Sequence, residues 1–432
     1  MVHRGVRGIC LAWLLALATV ASPGRASDVA VIDNGAVSLT LGGEYRLKVE
    51  GLHNPSFGIQ HSPSYTATGE RFLAQADLQS STGPRLFVQL SAATDSGRKP
   101  VKLPFYRSAL DVAQGYLDLP FGFHGAQLNL RVGRQELNFD GNRLVSSREV
   151  TNLRRAFEAA VLTAKWQSWS VQEFVSRPVR NRGGAFDDDA TPGEKFWGAR
   201  LRYAPEALAS AGELFYFVRS RLQALYQADS GAELRRTIGL RSSGNARGLD
   251  YAVQAALQRG TVGRLDIRAC GIASDVGYTL QYGWRPRFGL SAGFASGGKA
   301  GPDGQLRTFD SLYPNLGYFT DATLVYPGND WDFQPNVTLE PIVHVTLRAG
   351  VDFLHRVSRS DAVYEQPGFA LIAGTGVGSN AIGELSYIKL DWRVKRYWDL
   401  YASYVYGSAG ALVSASGGRD TRYFALQSDV KL

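Results

Sequence analysis

Residues 128–157 read LNLRVGRQELNFDGNRLVSSREVTNLRRAF. Leu128, Leu130 and Val132 fall on one side of a two-residue period, with Asn129, Arg131 and Gly133 on the other, which is the pattern of a half-polar β-strand. A polar segment follows that carries Arg143, Arg148, Arg154 and Arg155. Phe157 then opens a second strand. The unit is strand, long arginine-rich connection, strand, and its rhythm extends over the rest of the chain.

Working outward, the same alternation recurs from residue 37 to the end. Leu39, Leu41, Tyr45, Leu47 and Val49 oppose Thr40, Glu44, Arg46 and Lys48. Phe72, Ala74, Ala76 and Leu78 oppose Arg71, Gln75 and Asp77, and Ile388, Leu390, Trp392 and Val394 oppose Lys389, Asp391, Arg393 and Lys395. Segments near 9–11 residues with one apolar and one charged face match a membrane barrel, lipid outside and water inside. A soluble sandwich alternates too. Aromatics at segment ends (Trp166, Trp169, Trp197, Tyr203, Tyr397, Trp398) favour the membrane, as interfacial girdles do. The chain also ends in a strand, which lets the sheet close on its first strand and leave no edge. Nineteen segments can be drawn, including 263–273, 276–284, 286–296 and 334–341. Bacterial barrels use even numbers, so the expectation is eighteen strands, with the surplus within 276–296 or at 334–341. The fold class expected is all-β, a single transmembrane antiparallel barrel. Counting from the two ends gives opposite sides for the long segment 297–333. Other long polar segments are 51–69, 95–109, 138–156, 178–195, 220–233 and 357–382. Within 178–195, Asp187, Asp188 and Asp189 are an acidic run with the chemistry to bind a divalent cation, but without oxygen-ligand spacing they read as solvated.

Residues 1–26 have the layout of a secretory signal: His3, Arg4 and Arg7, an apolar run from Gly8 to Val20, and a small-residue exit ending at Ala26. Residues 27–432 are then one barrel domain in the bacterial outer membrane. Cys10 leaves with the signal, and Cys270 remains as the only cysteine, so no intrachain disulfide forms. The net charge is +8, biased toward Arg, the side chain suited to bidentate carboxylate recognition. Nucleic-acid binding fits that charge but not an exported chain. No HExxH, paired cysteines or clustered ligands point to a metal, and no cofactor is expected.

Several stretches carry a resemblance. They are Gly133-Arg134-Gln135-Glu136-Leu137, Gly141-Asn142-Arg143-Leu144, Arg148-Glu149 and Asn152-Leu153-Arg154-Arg155-Ala156-Phe157. Arg177-Pro178, Phe196-Trp197-Gly198, Phe309-Asp310-Ser311-Leu312-Tyr313-Pro314 and Asp361–Tyr364 follow downstream. In order and spacing they resemble the alginate export family of outer-membrane barrels. The resemblance implies an eighteen-stranded barrel whose arginine-rich pore passes anionic polyuronate. The inward faces fit that on their own terms. Arg46, Arg71, Arg131, Arg200, Arg202, Arg348, Arg393 and Lys395 oppose the apolar faces of their strands, Arg134 sits in the first motif and Arg154 at a loop–strand junction. Cationic groups in a wet lumen raise the local anion concentration. The competing reading is that Glu44, Asp77, Glu136, Asp352 and Asp391 pair with them to brace the wall. The partners expected are an anionic polysaccharide or small anionic solute, outer-membrane lipid and periplasmic export components, with the chain itself a monomer. Two other functions stay open: a general or substrate-specific porin for small anionic solutes, and an outer-membrane hydrolase. The second would need a histidine-based site, and His53, His61, His124, His344 and His355 lie in no catalytic motif.

Overall fold

The computed structural model describes residues 29–99, 104–139, 141, 143–298, 304–366 and 368–432. The expected signal at 1–26 lies outside them, as do short parts of the segments 95–109, 138–156, 297–333 and 357–382.

Eighteen strands form one closed antiparallel sheet. In order they are β1 Val37–His53, β2 Tyr65–Ser80, β3 Arg85–Ser96, β4 Ser108–Phe123, β5 Ala126–Gln135 and β6 Phe157–Trp166. Next come β7 Trp169–Arg180, β8 Glu194–Tyr203, β9 Ser210–Leu225, β10 Ser230–Ala246, β11 Leu249–Val262 and β12 Leu265–Thr279. The last six are β13 Arg287–Ala295, β14 Asp330–Ile342, β15 Val345–Arg356, β16 Ala381–Lys395, β17 Trp398–Ala409 and β18 Thr421–Lys431. Each pairs with its neighbours in sequence, and β18 pairs with β1 from Glu44↔Lys431 to His53↔Arg422.

Which face points out is decided by adjacent residues. Leu257 is 53% exposed while the next residue, Gln258, is fully buried; Leu426 is 58% exposed beside the fully buried Ala425. An apolar exterior this continuous is unstable in water and matched to lipid. The polar set therefore faces inward, and Arg46, Arg71, Asp118 and Asp352 are all buried there. Trp166, Trp169, Tyr203, Trp284 and Tyr397 are exposed at one end of the barrel, where a girdle belongs.

Every connection at that end is short, whereas the opposite end carries two short ones, 226–229 and 263–264, among longer loops. His124-Gly125, Gln167-Ser168, Arg247-Gly248, Val343-His344 and Arg396-Tyr397 are two-residue turns. At His124-Gly125 and Arg247-Gly248 both φ values are positive, the geometry that matches strand twist in a tight hairpin and that Gly adopts without cost. Both the start of β1 and the end of β18 lie at this end. The long connections, 54–64, 97–107, 136–156, 181–193, 296–329 and 357–380, are all opposite. In an outer-membrane barrel the short turns are periplasmic and the long loops extracellular, so 297–333 belongs to the extracellular side.

The surplus segment is accounted for. Segments 263–273 and 276–284 are one strand, β12. Ser274-Asp275 reads as a turn in sequence, but Asp275 points inward and accepts from Ser291 Oγ at 2.5 Å and Arg287 Nη2 at 2.7 Å. Segment 334–341 is real but starts earlier, at Asp330, and Val343-His344 is a turn rather than strand.

Two long loops fold into the lumen. Leu137, Phe139, Leu144 and Val145 of one join Phe309, Leu312 and Tyr313 of the other over inward aromatics from the wall, including Phe157, Phe174, Phe196 and Phe217. The loops also pair with each other: Ser146 N donates to Tyr313 O at 2.9 Å and Tyr313 N to Leu144 O at 2.8 Å.

Leu426→Arg places a charge on the lipid face near mid-strand. It should cost about 2–4 kcal/mol and appear as reduced yield and lost heat-modifiable migration. Wild-type migration and yield would reject this facing.

Candidate functional site

The inner loop 136–156 reaches from β5 to β1 and β2. It is held there by Asn152, whose Nδ2 donates to the carbonyls of Glu70 (3.0 Å), Thr94 (2.8 Å) and Tyr106 (3.1 Å). Lys48 Nζ donates to Val150 O at 3.3 Å. This brings Glu149 and Arg154 against the wall where Arg46 and Arg71 sit directly opposite each other in register. Like charges so placed repel. Glu149 offsets this: its Oε1 accepts from Arg46 Nη2 at 2.5 Å and from Arg71 Nη2 at 2.8 Å, and its Oε2 accepts from Arg154. Arg46 Nε also meets Asp429 at 2.6 Å, Arg71 meets Glu44 at 2.5 Å, and Arg154 lies 3.8 Å from Glu136. Burial pushes the Glu149 carboxyl up, but Arg71, Arg46 and Arg154 together hold it well below the usual carboxylate range. Burial pushes Glu136 up and prevails there.

Two further cations of this loop are unopposed. Arg148 lies over the Phe105 ring, 4.3 Å to the centroid, and Arg155 near Tyr313 at 5.4 Å. Neither has an ion-pair partner among the described residues. Burial and then the nearby Arg155 charge push Arg148 down to about 9, and burial pushes Arg155 down to about 10, so both stay charged near neutrality.

On the turn side of the loop lies a polar cavity of about 440 Å³ whose walls come from β5 to β8. Arg131, Lys165, Arg200 and Arg202 line it, with Glu136 the one carboxylate of the lining among the described residues. Arg131 is held over the Tyr116 ring (4.0 Å) by Asp118 (2.7 Å), and Arg200 over Phe139 (4.5 Å) by Glu213 (2.7 Å).

The remaining arginines singled out in the sequence are elsewhere. Arg134 pairs with Glu158 at 2.7 Å and Asp111 at 3.3 Å near the loop end. Arg348 is 3.9 Å from Asp275 on another part of the wall. Arg393 and Lys395 are exposed at the turn-side mouth, with Arg393 3.5 Å from Asp399. Of the carboxylates proposed as braces, Glu44 pairs with Arg71 and Asp77 with Arg85 (2.7 Å), whereas both oxygens of the buried Asp352 lack a hydrogen-bond partner among the described residues. The acidic run is tied down rather than merely solvated. Asp187 N and Asp188 N donate to Asp111 Oδ2, and Asp189 pairs with Arg180 and Arg182.

Sequence reasoning missed three features. Glu149 is one. Lys165, at a strand end, is another. The third is a fully buried anchor under the second inner loop. Asp310 there accepts from Arg219 at 2.5 Å and Tyr226 at 2.6 Å, while Arg219 and Arg235 share Glu233. Burial raises the Asp310 carboxyl, but the arginines around it hold it far below its ordinary value. The usable signals were the lone acids inside motifs, Arg148-Glu149 and Phe309-Asp310.

No curated protein matches the chain in sequence. Solved structures match its fold. Pseudomonas aeruginosa OpdL aligns with TM-score 0.60 at 11% identity, covering 91% of this chain and 98% of its own. Acinetobacter baumannii OccAB4 gives 0.56 at 11% identity over 95% and 100%. Pseudomonas aeruginosa OccK2 (OpdF), solved in complex with glucuronate, gives 0.55 at 13% identity over 91% and 98%. The alginate export profile matches residues 37–427, nearly the whole chain, which therefore belongs to the alginate export family and forms an outer-membrane channel.

Proposed function

We propose that the chain, released from a signal cleaved after Ala26, exports an anionic polyuronate through the lumen as a monomer, taking the polymer from periplasmic partners. The observation that carries this is the cavity on the periplasmic side, where Arg131, Lys165, Arg200 and Arg202 line the wall with Glu136 as the one lining carboxylate among the described residues, and Asp118 and Glu213 hold Arg131 and Arg200 from beside it. A chain of carboxylates arriving from the periplasm would meet that basic wall first. Fixed positive charge beside low-dielectric walls concentrates anions, and guanidiniums bind carboxylates through two parallel N–H donors. Arg148 and Arg155 add positive charge deeper in, without ion-pair partners of their own among the described residues. Family membership supports the polymer.

A porin for small anionic solutes is the second reading. It is favoured by the glucuronate complex of OccK2, whose fold this chain shares, and by the two loops that narrow the lumen. Transport rather than catalysis is favoured in either case by the family and by the porin-like fold.

The refolded mature chain in a planar bilayer under a salt gradient should give an anion-selective reversal potential, and polymannuronate added on the turn side should block it. Anion selectivity without block would favour the small-solute reading, and no conductance would reject both. Arg131→Glu, Arg200→Glu and Arg202→Glu combined should reverse the selectivity; an unchanged reversal potential would remove the cavity from the conduction path.

Acidity offers a separate check. The Glu136 carboxyl titrates above its ordinary 4.5. Lowering the pH from neutral toward that value should neutralise it before ordinary carboxylates and raise the anion preference. Glu136→Gln should have the raised preference at neutral pH and lose most of the pH response. A response as large as that of the wild type would exclude Glu136 as its source.

A further inference from the structure

Glu149 occupies the Arg46–Arg71–Arg154 site as a substrate carboxylate would. Three guanidiniums from two wall strands and the inner loop converge on one carboxylate that belongs to the loop. Around them stand four carboxylates: Glu44, Glu136, Glu149 and Asp429. The site is therefore already fully neutralised. An anion arriving in addition would face a set in which carboxylates outnumber guanidiniums, and it would be repelled. An anion arriving in exchange leaves the local charge unchanged.

Only one of the four carboxylates is placed for exchange. The Glu149 side chain is 44% exposed, whereas Glu44, Asp429 and Glu136 are 14%, 12% and 16% exposed. Glu149 can leave without releasing the loop, because the loop is pinned separately by the three Asn152 hydrogen bonds and by pairing with Tyr313. The site also has a donor to spare: Arg71 Nε is buried with no acceptor among the described residues. Arg46 is held in place from behind by Asp429, so a departing Glu149 would leave a preorganised fork rather than a loose side chain.

We propose that Arg46, Arg71 and Arg154 form a carboxylate-exchange site whose resident ligand is Glu149, and that uronate units pass by displacing it. The proposal rests on the anion-channel reading and adds a device to it: an internal competitor that keeps the site closed to weakly bound anions and keeps bound uronates from lodging.

The test measures glucuronate block of the single-channel current in planar bilayers with the full mature chain, for wild type and Glu149→Gln. With the competitor's charge removed, glucuronate should bind tighter by on the order of tenfold, the worth of one part-exposed charge-assisted contact. Equal affinity in the two proteins would overturn the proposal. Polymannuronate block is recorded on the same channels. Its absence in both, with the glucuronate difference intact, would overturn polymer export and leave the exchange site standing. Should Glu149→Gln fail to assemble, Glu149→Asp keeps the charge and shortens only its reach to the three arginines. It should tighten glucuronate binding by a smaller factor, and wild-type affinity in that assembled channel would overturn the proposal.

Discussion

Inside a bilayer every backbone N–H and C=O needs a partner from the protein, because no water is available to supply one. The seam between β18 and β1, running from Glu44↔Lys431 to His53↔Arg422, meets that demand for the strands that would otherwise be edges. Much else depends on it. Closure with antiparallel neighbours brings the start of β1 and the end of β18 to one end and sends the long loops to the other. The two-residue period then leaves no freedom about polarity: with lipid outside, each strand's charged face must line the lumen.

That consequence is costly unless the charges find partners. A buried unpaired ion is far less stable than a paired one, and removing one member of a buried pair typically costs several kcal/mol. An eighteen-stranded lumen is too wide for wall side chains alone to fill. The two inner loops fill part of it and bring the missing counter-charges with them. Asp310 reaches Arg219, and Glu149 reaches Arg46 and Arg71. Asp310 fixes its loop through the same contacts that neutralise the wall, whereas the Glu149 loop is held separately by Asn152 and by pairing with Tyr313.

This explains what was legible in the sequence. Facing was readable because it depends only on parity, and Arg46, Arg71, Arg131 and Arg200 all lie on the inner face. Strand number was readable to within one, and the error fell at Ser274-Asp275, where two polar residues in mid-strand imitate a turn. Partners were not readable. Arg46 and Asp429 are 383 positions apart and Arg219 and Asp310 are 91 apart, linked by barrel closure and loop insertion rather than by any spacing. Knowing that an arginine points inward therefore says little about whether it is free to meet a solute.

The distinction separates two kinds of basic surface in this lumen. Around Glu149 the guanidiniums are outnumbered by carboxylates, so on the proposed reading the site takes an anion only in exchange. In the turn-side cavity Arg131, Lys165, Arg200 and Arg202 share the lining with Glu136, while Asp118 and Glu213 hold Arg131 and Arg200, so on the proposed reading that region presents a cationic surface to an incoming anion. Conduction needs both properties in series, since a site strong enough to draw ions in and rigid enough to hold them would also trap them. Uniformly unpaired arginines along the whole lumen would bind a polyanion at every carboxylate and release it at none. On the proposed reading, a cationic lining at the mouth and a carboxylate-matched set at the narrowing let capture be followed by passage.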